Sequence, residues 1–310
     1  MWLEELPEEQ KDLVLEEFGY SRKQLDSDLE QLKEWLKLQH HLPAGRLKES
    51  DSFLKMFLAG CKGSLEKAKR KLDAYYTYRS HTVIFDCRDP FHPDYMNTKY
   101  LAYYVPTPKL TKHTRFAFFK LADENQEKFS LLAIVGSMLN VADLGLRLEK
   151  NFGVKCCILF DAKNVTISNH IAKLKPLVVK DFIYYTLKTM PYRYSNFFVI
   201  NAPEFVATAV NTLILPLMSK KMRSRMYITA NGIEEVSHYF DKSVLPKDYG
   251  GDLPSMKTLN DFWKDLERDR RDWFVNELTE QCDESKRIVM EDPANPYFGL
   301  PGSLKKLVVD

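Results

Sequence analysis

The most informative stretch of this chain is NAPEFVATAVNTLILPLMSKKMRSRM, residues 201–226. Its apolar residues recur at helical spacing from Phe205 to Leu217, so a helix here is apolar over more than half of its surface. The run then turns basic between Ser219 and Arg225. A membrane-docking lid over an apolar pocket needs this combination, because its apolar face can enter a bilayer while the cations hold anionic head groups. A buried helix followed by a solvated basic turn is the alternative.

Length and composition restrict the class of protein. A chain of 310 residues suits one large domain plus a smaller one. Its 45 Lys and Arg residues against 43 Asp and Glu residues leave a formal net charge of +2. The whole molecule is therefore not a polyanion binder, and any electrostatic partner must meet a local patch.

The sequence also indicates a compartment. The start, MWLEELPEE, lacks the basic and apolar regions of a secretory signal, and no run of about 18 uncharged apolar residues follows. The five cysteines are odd in number and lack metal-ligand spacing, since Cys156 and Cys157 are adjacent. We therefore expect reduced thiols in a cytoplasmic protein that is peripheral on membranes. We also expect a monomer with no metal and no other cofactor.

The chain divides into three regions. Residues 1–79 predict short helices, one of them opened by a capping box in which Ser21 and Gln24 satisfy each other's backbone amides. The apolar stripes of these helices can meet in a small bundle. Residues 80–255 predict a second domain, and residues 256–310 predict a charged helix followed by a Pro-rich tail.

The second region alternates strands and helices. Thr114 to Leu121 is β-branched and aromatic and predicts a strand, while Phe129 to Leu148 predicts a well-buried helix. Val154 to Phe160 is a nearly continuous apolar run, which is typical of a strand buried on both faces. The alternation continues with a helix at 177–187 and strands at 196–200 and 225–229. The expected fold class is therefore α/β, with an N-terminal helical bundle followed by a mixed sheet domain that carries a lid helix.

Catalytic and nucleic-acid-binding signatures are missing. The sequence has no Gly-x-Gly-x-x-Gly after a strand, no P-loop, no His-Glu-x-x-His and no Gly-x-Ser-x-Gly. Residues 264–272, KDLERDRRD, mix both signs of charge, so they predict the solvated outer face of a helix. Their carboxylates would repel phosphate, and we expect no nucleic-acid partner.

Several motifs in a fixed order resemble the CRAL-TRIO lipid-transfer family, and within it the α-tocopherol transfer protein and retinaldehyde-binding protein branch. The N-terminal motifs are LKEWL at 32–36, QHHLP at 39–43 and SLEKAKRKLD at 64–73. The later motifs are GVK at 153–155, FD at 160–161, VINAP at 199–203 and LPKDYGG at 245–251. The resemblance covers roughly residues 25 to 255.

The resemblance implies a carrier rather than an enzyme. Members of the family hold one hydrophobic molecule between a sheet and a movable lid helix and exchange it at membranes. This chain is then expected to bind and transfer a small hydrophobic ligand of the tocopherol, retinoid or carotenoid class. A phospholipid or phosphatidylinositol exchanger is the alternative within the same fold, and a non-transfer adaptor with a vestigial pocket is the alternative outside it.

The family's cavity lining can be carried over position by position. It falls on Leu132, Ala133, Gly136, Ser137, Asn140, Ile158, Phe160, Phe182, Tyr185, Met190, Phe197, Phe205, Ala209 and Leu213. Ordinary core packing is the alternative for each of them. Ser137 and Asn140 form a polar pair on an otherwise apolar helix face, so they need either a ligand oxygen or a bound water as partner.

The resemblance also implies a basic cleft beside the lid that holds a phosphoinositide head group and assists lid opening. Its positions fall on Arg193, Ser195, Lys221 and Arg225, with Arg223 between the last two. Ser195 replaces a cation, which weakens the expectation of head-group binding. A second departure is DAKN at 161–164, where relatives have an acidic residue and a glycine. A solubilising surface is the alternative reading of the cations.

Overall fold

The computed structural model describes residues 3–122 and 126–287 of the chain. Most of the predicted C-terminal tail, residues 288–310, lies outside the described residues. The division at residues 79 and 255 remains a prediction. The described parts nevertheless contain the predicted succession of N-terminal helices, mixed sheet and C-terminal helices.

The N-terminal region is helical, as the sequence predicts. Helices α1 to α4 span Glu8–Glu16, Arg22–Lys37, Asp51–Gly60 and Leu65–Arg79. The capping box is confirmed, because the Ser21 hydroxyl accepts from the Gln24 amide at 3.2 Å and the Gln24 side chain accepts from the Ser21 amide at 3.1 Å. The apolar stripe of α2 packs with α3 and α4 in one core, which gives this region its shape.

The sheet has five strands in the order β1-β2-β3-β4-β5. They span Ala102–Thr111, Thr114–Leu121, Lys155–Asp161, Arg193–Ile200 and Met226–Ile228. β1 and β2 form an antiparallel hairpin, and the other neighbours are parallel. The sequence did not predict β1, because Pro106 and Pro108 interrupt its pattern. Both prolines are tolerated here because β1 is an edge strand.

The remaining helices cover the sheet or connect its strands. Helices α5 to α12 span Pro93–Leu101, Leu131–Leu148, Pro176–Tyr184, Glu204–Ala209, Lys220–Arg223, Ile233–Val236, Met256–Asp269 and Arg271–Thr279. A π-helical turn, Tyr185–Thr189, continues α7. Another, Val210–Ile214, continues α8 and is followed by the 3₁₀ turn Leu215–Leu217. The predicted lid helix is therefore the segment 204–217, which is an α-helix, a π-helical turn and a 3₁₀ turn in succession. We call it the lid segment.

Helix α6 is the central helix of the fold. Among the described residues it is the helix long and apolar enough to cross a membrane, with 18 residues and a mean hydropathy of 1.6. Two thirds of it (67%) is buried within the protein, as expected for the core helix of a folded domain.

The C-terminal region corrects two expectations. The predicted single charged helix is two helices, because Arg270 breaks the winding between α11 and α12. The run at 264–272 is not wholly solvated, since Lys264 and Glu267 are buried. The ammonium of Lys264 lies 3.0 Å from a Glu267 carboxylate oxygen and also contacts the Ser137 hydroxyl of α6. Opposite charges three residues apart can be buried together because each compensates the other.

Two glycines of α6 give a test of how closely this helix is packed. A Cβ at Gly136 would lie 2.2 Å from the carbonyl oxygen of Cys87, whereas a Cβ at Gly145 would meet only the Tyr192 hydroxyl at 3.5 Å. Gly136→Ala should lower the free energy of unfolding by about 1–3 kcal/mol, because the backbone must move. Gly145→Ala should leave it unchanged or raise it by up to about 1 kcal/mol through helix propensity. Urea denaturation measures both, and equal stability of the two variants would contradict the packing of α6.

Candidate ligand-binding cavity

A cavity of about 330 Å³ lies between one face of the sheet and a cover made by α6, α7 and the lid segment. Every second residue of β2 and β3 lines it, because side chains of a strand alternate between the two faces of a sheet. The sheet contributes Tyr104, Pro106, Arg115, Ala117, Phe119, Leu121, Cys156, Ile158, Phe160, Tyr194, Phe197, Phe198, Val199 and Met226. The intervening residues, such as Phe116 and Leu159, pack into the core on the other face.

The cover is almost entirely apolar. From α6 come Leu131, Ile134, Val135, Met138, Leu139, Ala142 and Gly145; from α7 and the turn after it come Val179, Phe182, Ile183, Thr186, Leu187 and Met190. The lid segment and the residue that follows it add Val206, Ala209, Val210, Leu213, Ile214 and Met218. Arg115 and Leu121 are six residues apart on β2, so at about 3.3 Å per residue the cavity extends for about 20 Å along the sheet. This shape suits an elongated apolar molecule.

Half of the residues carried over from the family lie on the cavity wall. They are Ile158, Phe160, Phe182, Met190, Phe197, Ala209 and Leu213. The others, Leu132, Ala133, Gly136, Ser137, Asn140, Tyr185 and Phe205, are not among the lining residues. Contact with a ligand stays a prediction for the first group, whereas the second group requires a correction.

Five of the corrected positions lie on one face of α6, and that face is not the one that lines the cavity. Leu132, Ala133, Gly136, Ser137 and Asn140 point away from the sheet, toward Cys87, α5 and α11. The polar pair is satisfied without a ligand or water. The Asn140 side chain accepts from the Arg88 guanidinium at 2.8 Å and donates to the Arg88 carbonyl at 2.9 Å.

The other two corrected positions are core residues. Tyr185 is fully buried, and its hydroxyl accepts from the Arg79 guanidinium at 2.8 Å. Its ring packs on Phe85 at a centroid distance of 4.9 Å. Phe205 is half-buried against the apolar cluster at the ends of the strands, beside the lid residues that do line the cavity. Neither residue is among those that line the cavity.

An ion pair that the sequence reasoning missed stands at one end of the cavity. Arg115 donates to both carboxylate oxygens of Glu149, at 2.8 and 3.1 Å, and to the carbonyls of Thr107, Pro108 and Glu4. Glu149 also accepts from the Asn151 side chain at 2.7 Å. A charged residue at the start of a largely aromatic strand was the available signal. Because both groups are saturated, this end offers no free charge to a ligand.

His170, which was also not predicted, lies on the cavity wall beyond the end of β3 that is opposite to Arg115. His170 is 4% exposed and lies beside Phe129, Val165 and Ile171, which also line the cavity. It belongs to a turn that follows β3, and nothing in the local sequence pattern indicates that this turn reaches the cavity.

The predicted head-group cations lie near the lid segment but differ in availability. The half-buried Arg193 donates to the Gly153 carbonyl and lies 3.6 Å from Glu17, and burial lowers its pKa. Arg225 donates to the Tyr194 carbonyl on β4. Arg223 and Lys221 are exposed, although the Arg223 guanidinium also donates to a carbonyl at 2.9 Å.

The position where a cation was expected is also engaged. The Ser195 hydroxyl donates to the Cys156 carbonyl at 3.3 Å, on the strand next to β4. Ser195, Arg193 and Arg225 are therefore all engaged with backbone carbonyls, and the exposed charge at this place comes from α9.

The buried ion pair can be tested against an exposed one. Arg115→Met leaves the Glu149 carboxylate buried without its partner, so the free energy of unfolding should fall by about 3–5 kcal/mol. Arg22, which pairs with Glu8 and Asp12 at the surface, is the matched control. Arg22→Met should stay within about 1 kcal/mol of the parent. Similar losses for the two variants in chemical denaturation would contradict the burial of the Arg115 pair.

Comparison with known proteins finds two family models that match this chain. A family model described as "Pinta-like, UBA domain" matches residues 21–95, and the CRAL/TRIO domain model matches residues 104–251. Clavesin-2 of Homo sapiens is 23% identical over 217 residues, which cover 68% of this chain and 64% of clavesin-2. The match therefore spans less than two thirds of that relative's length.

A further relative and a solved structure are more distant. The alpha-tocopherol transfer protein-like protein of Pongo abelii is 26% identical over 121 residues, which cover 39% of this chain and 34% of that protein. The crystal structure of Sfh5 has 13% sequence identity and a TM-score of 0.44, with 83% of this chain and 93% of that chain covered.

Proposed function

We propose that this chain, whose residues 104–251 match the CRAL/TRIO domain model, binds a small hydrophobic molecule and transfers it between membranes. The observation that carries the proposal is the elongated cavity, whose wall is apolar along the sheet face, α6 and the lid segment. A water-insoluble molecule gains about 25 cal/mol for each Å² of apolar surface removed from water. Such a cavity can therefore hold it without catalytic groups or a cofactor.

The volume of the cavity favours an elongated ligand with one apolar body over a ligand with two chains. Its volume of about 330 Å³ is near the lower end of the range for ligand pockets, roughly 300–1,000 Å³. A tocopherol, retinoid or carotenoid has one apolar body. For a phospholipid, the cavity would also have to accommodate a second chain and a charged head. We therefore propose the first class as the ligand and keep phospholipid exchange as the alternative.

Solvent extraction and a cavity-filling variant test the proposal together. Mass spectrometry of an organic extract of the purified protein should find a retinoid-, tocopherol- or carotenoid-like lipid. Ala209→Trp places an indole on the lid face that lines the cavity and should lower the recovered lipid at least fivefold. The control, Thr208→Trp, alters the exposed side of the same helix and should leave recovery unchanged. A phospholipid would support the alternative, and an empty extract would indicate a vestigial pocket.

Delivery requires that the protein meet a membrane, and we propose that the lid segment and the cations beside it do this. The lid presents Leu217 to solvent with 38% of its surface exposed, and Lys220, Lys221 and Arg223 of α9 are exposed immediately after it. Anionic lipids attract such cations with roughly 1 kcal/mol each. Bidentate contacts between Arg and phosphate would add a preference for phosphoinositides. The protein would then be cytoplasmic, peripheral on membranes and active as a monomer.

A matched control separates the effect of the exposed cations of α9 on vesicle binding from the effect of the protein's net charge. Lys221→Ala with Arg223→Ala should weaken binding to vesicles that contain phosphatidylinositol bisphosphate by about thirtyfold at low salt, since two attractions of roughly 1 kcal/mol are lost. The control is Lys23→Ala with Lys67→Ala, an equal charge change on exposed residues of the helical bundle. Co-sedimentation measures both. The patch is only solvated surface if the two double variants bind such vesicles equally well.

A further inference from the structure

Within the described residues, one ring nitrogen of His170 has no hydrogen-bond partner. The Nδ1 atom accepts from the backbone amide of Thr166 at 2.9 Å and lies 3.1 Å from the Thr166 hydroxyl. A backbone amide can only donate, so Nδ1 carries no proton. The proton of the neutral ring is therefore on Nε2, which makes that atom a hydrogen-bond donor.

The Nε2 edge of the ring is the edge turned away from Thr166. His170 lines the cavity, and its Nδ1 edge is turned toward Thr166 in the turn after β3. The ring also packs edge-on against Phe129, another wall residue, with centroids 4.8 Å apart and an interplanar angle of 82°. Across residues 3–122 and 126–287, no group accepts a hydrogen bond from Nε2. His170 is 4% exposed as a whole residue, but its Nε2 is not among the unpartnered atoms that are fully buried, so an acceptor in the cavity can reach it.

Most other polar groups on the wall are already satisfied. The Tyr192 hydroxyl donates to the Ala142 carbonyl at 2.8 Å, and the Tyr194 hydroxyl donates to the Thr186 carbonyl at 3.4 Å. Arg115 at the far end is saturated by Glu149 and by backbone carbonyls. Tyr104 and Thr186 bring two further hydroxyls to the wall and serve as controls below.

We propose that the Nε2–H of His170 donates a hydrogen bond to a neutral oxygen at one end of an elongated apolar ligand. The oxygen is that of an aldehyde, ketone, quinone or hydroxyl. This inference rests on the proposed carrier function and assigns the chemistry and the orientation of the ligand's head. The head lies at the His170 end, and the apolar body runs along β2 and β3 toward Arg115.

The charge state of the site favours a neutral head at this position. Burial lowers the pKa of His170, the hydrogen bond from the Thr166 amide opposes this, and the nearby Lys173 acts in the same direction as burial, which favours the neutral ring. A carboxylate or phosphate buried here would need a cation. Arg115 on the wall is neutralised by Glu149 at the other end, and the Lys173 ammonium donates to the Glu127 carbonyl at 3.0 Å. A neutral acceptor has no such requirement.

Two substitutions separate recognition from a structural role. His170→Asn places an amide oxygen where Nδ1 accepts from Thr166, and it removes the donor at Nε2. His170→Gln places an amide N–H near the Nε2 position and gives up the contact with Thr166. If His170 recognises the ligand, the Gln variant should retain ligand binding and the Asn variant should lose it. If the role of His170 is purely structural, the Asn variant should retain binding and the Gln variant should lose it.

The readout is the dissociation constant of the full chain for two probes, retinaldehyde and anhydroretinol, which lacks the oxygen. The wild type should bind retinaldehyde at least tenfold more tightly than anhydroretinol. His170→Asn should remove this preference by weakening only retinaldehyde binding, by roughly tenfold to a hundredfold. His170→Gln should keep most of the preference, as should Tyr104→Phe and Thr186→Val.

Each other outcome contradicts a specific part of this assignment. Equal binding of both probes by the wild type, or an unchanged preference in His170→Asn, overturns the role of His170 and leaves the carrier function standing. A wild type that binds neither probe and yields no lipid on extraction contradicts the carrier function itself. If neither probe binds but a lipid is extracted, its recovery from the Asn and Gln variants gives the same comparison. A charged head group on that lipid overturns the assignment.

Discussion

The cavity depends on how α6 is rotated about its own axis. Asp143, which is fully buried, accepts from Arg88 at 2.7 Å and from Arg79. Burial alone would raise the pKa of Asp143, but the two guanidinium groups beside it hold that pKa below its usual value. Because a buried charge must be paired, this polar face can point only toward the two arginines. The opposite face, with Ile134 and Met138, is thereby turned to the sheet.

The cover of the cavity is least regular where the proposed function requires movement. The π-helical turns Tyr185–Thr189 and Val210–Ile214 interrupt α7 and the lid helix, and both contribute wall residues. Such turns are rare and often mark functional sites. The lid segment is also half-exposed along much of its length, so few buried contacts oppose its opening. The rigid sheet and α6 would keep the shape of the cavity while the lid moves.

Local periodicity predicted the strand β3, and the family resemblance, not the periodicity, assigned Ile158 and Phe160 to the cavity wall. Both side chains lie on that wall, on one face of β3, because side chains of a strand alternate between the two faces of a sheet. The face of α6 was predicted wrongly, because Ser137 and Asn140 were interpreted without their partners. Those partners are Lys264, 127 residues away, and Arg88, 52 residues away, and no local pattern indicates either contact. The buried place of Lys264 in a charged run was missed for the same reason.

The central claim is that the gap between the sheet and α6 is a lipid site rather than a packing defect. An apolar gap forfeits dispersion contacts on both of its walls, and an apolar molecule of matching shape restores them. A crystal structure of the protein purified with its natural lipid tests this most directly. The account predicts continuous elongated density between Ile158 on β3 and Met138 on α6. Density for the lipid elsewhere on the protein, with this gap collapsed or filled by side chains, would contradict it.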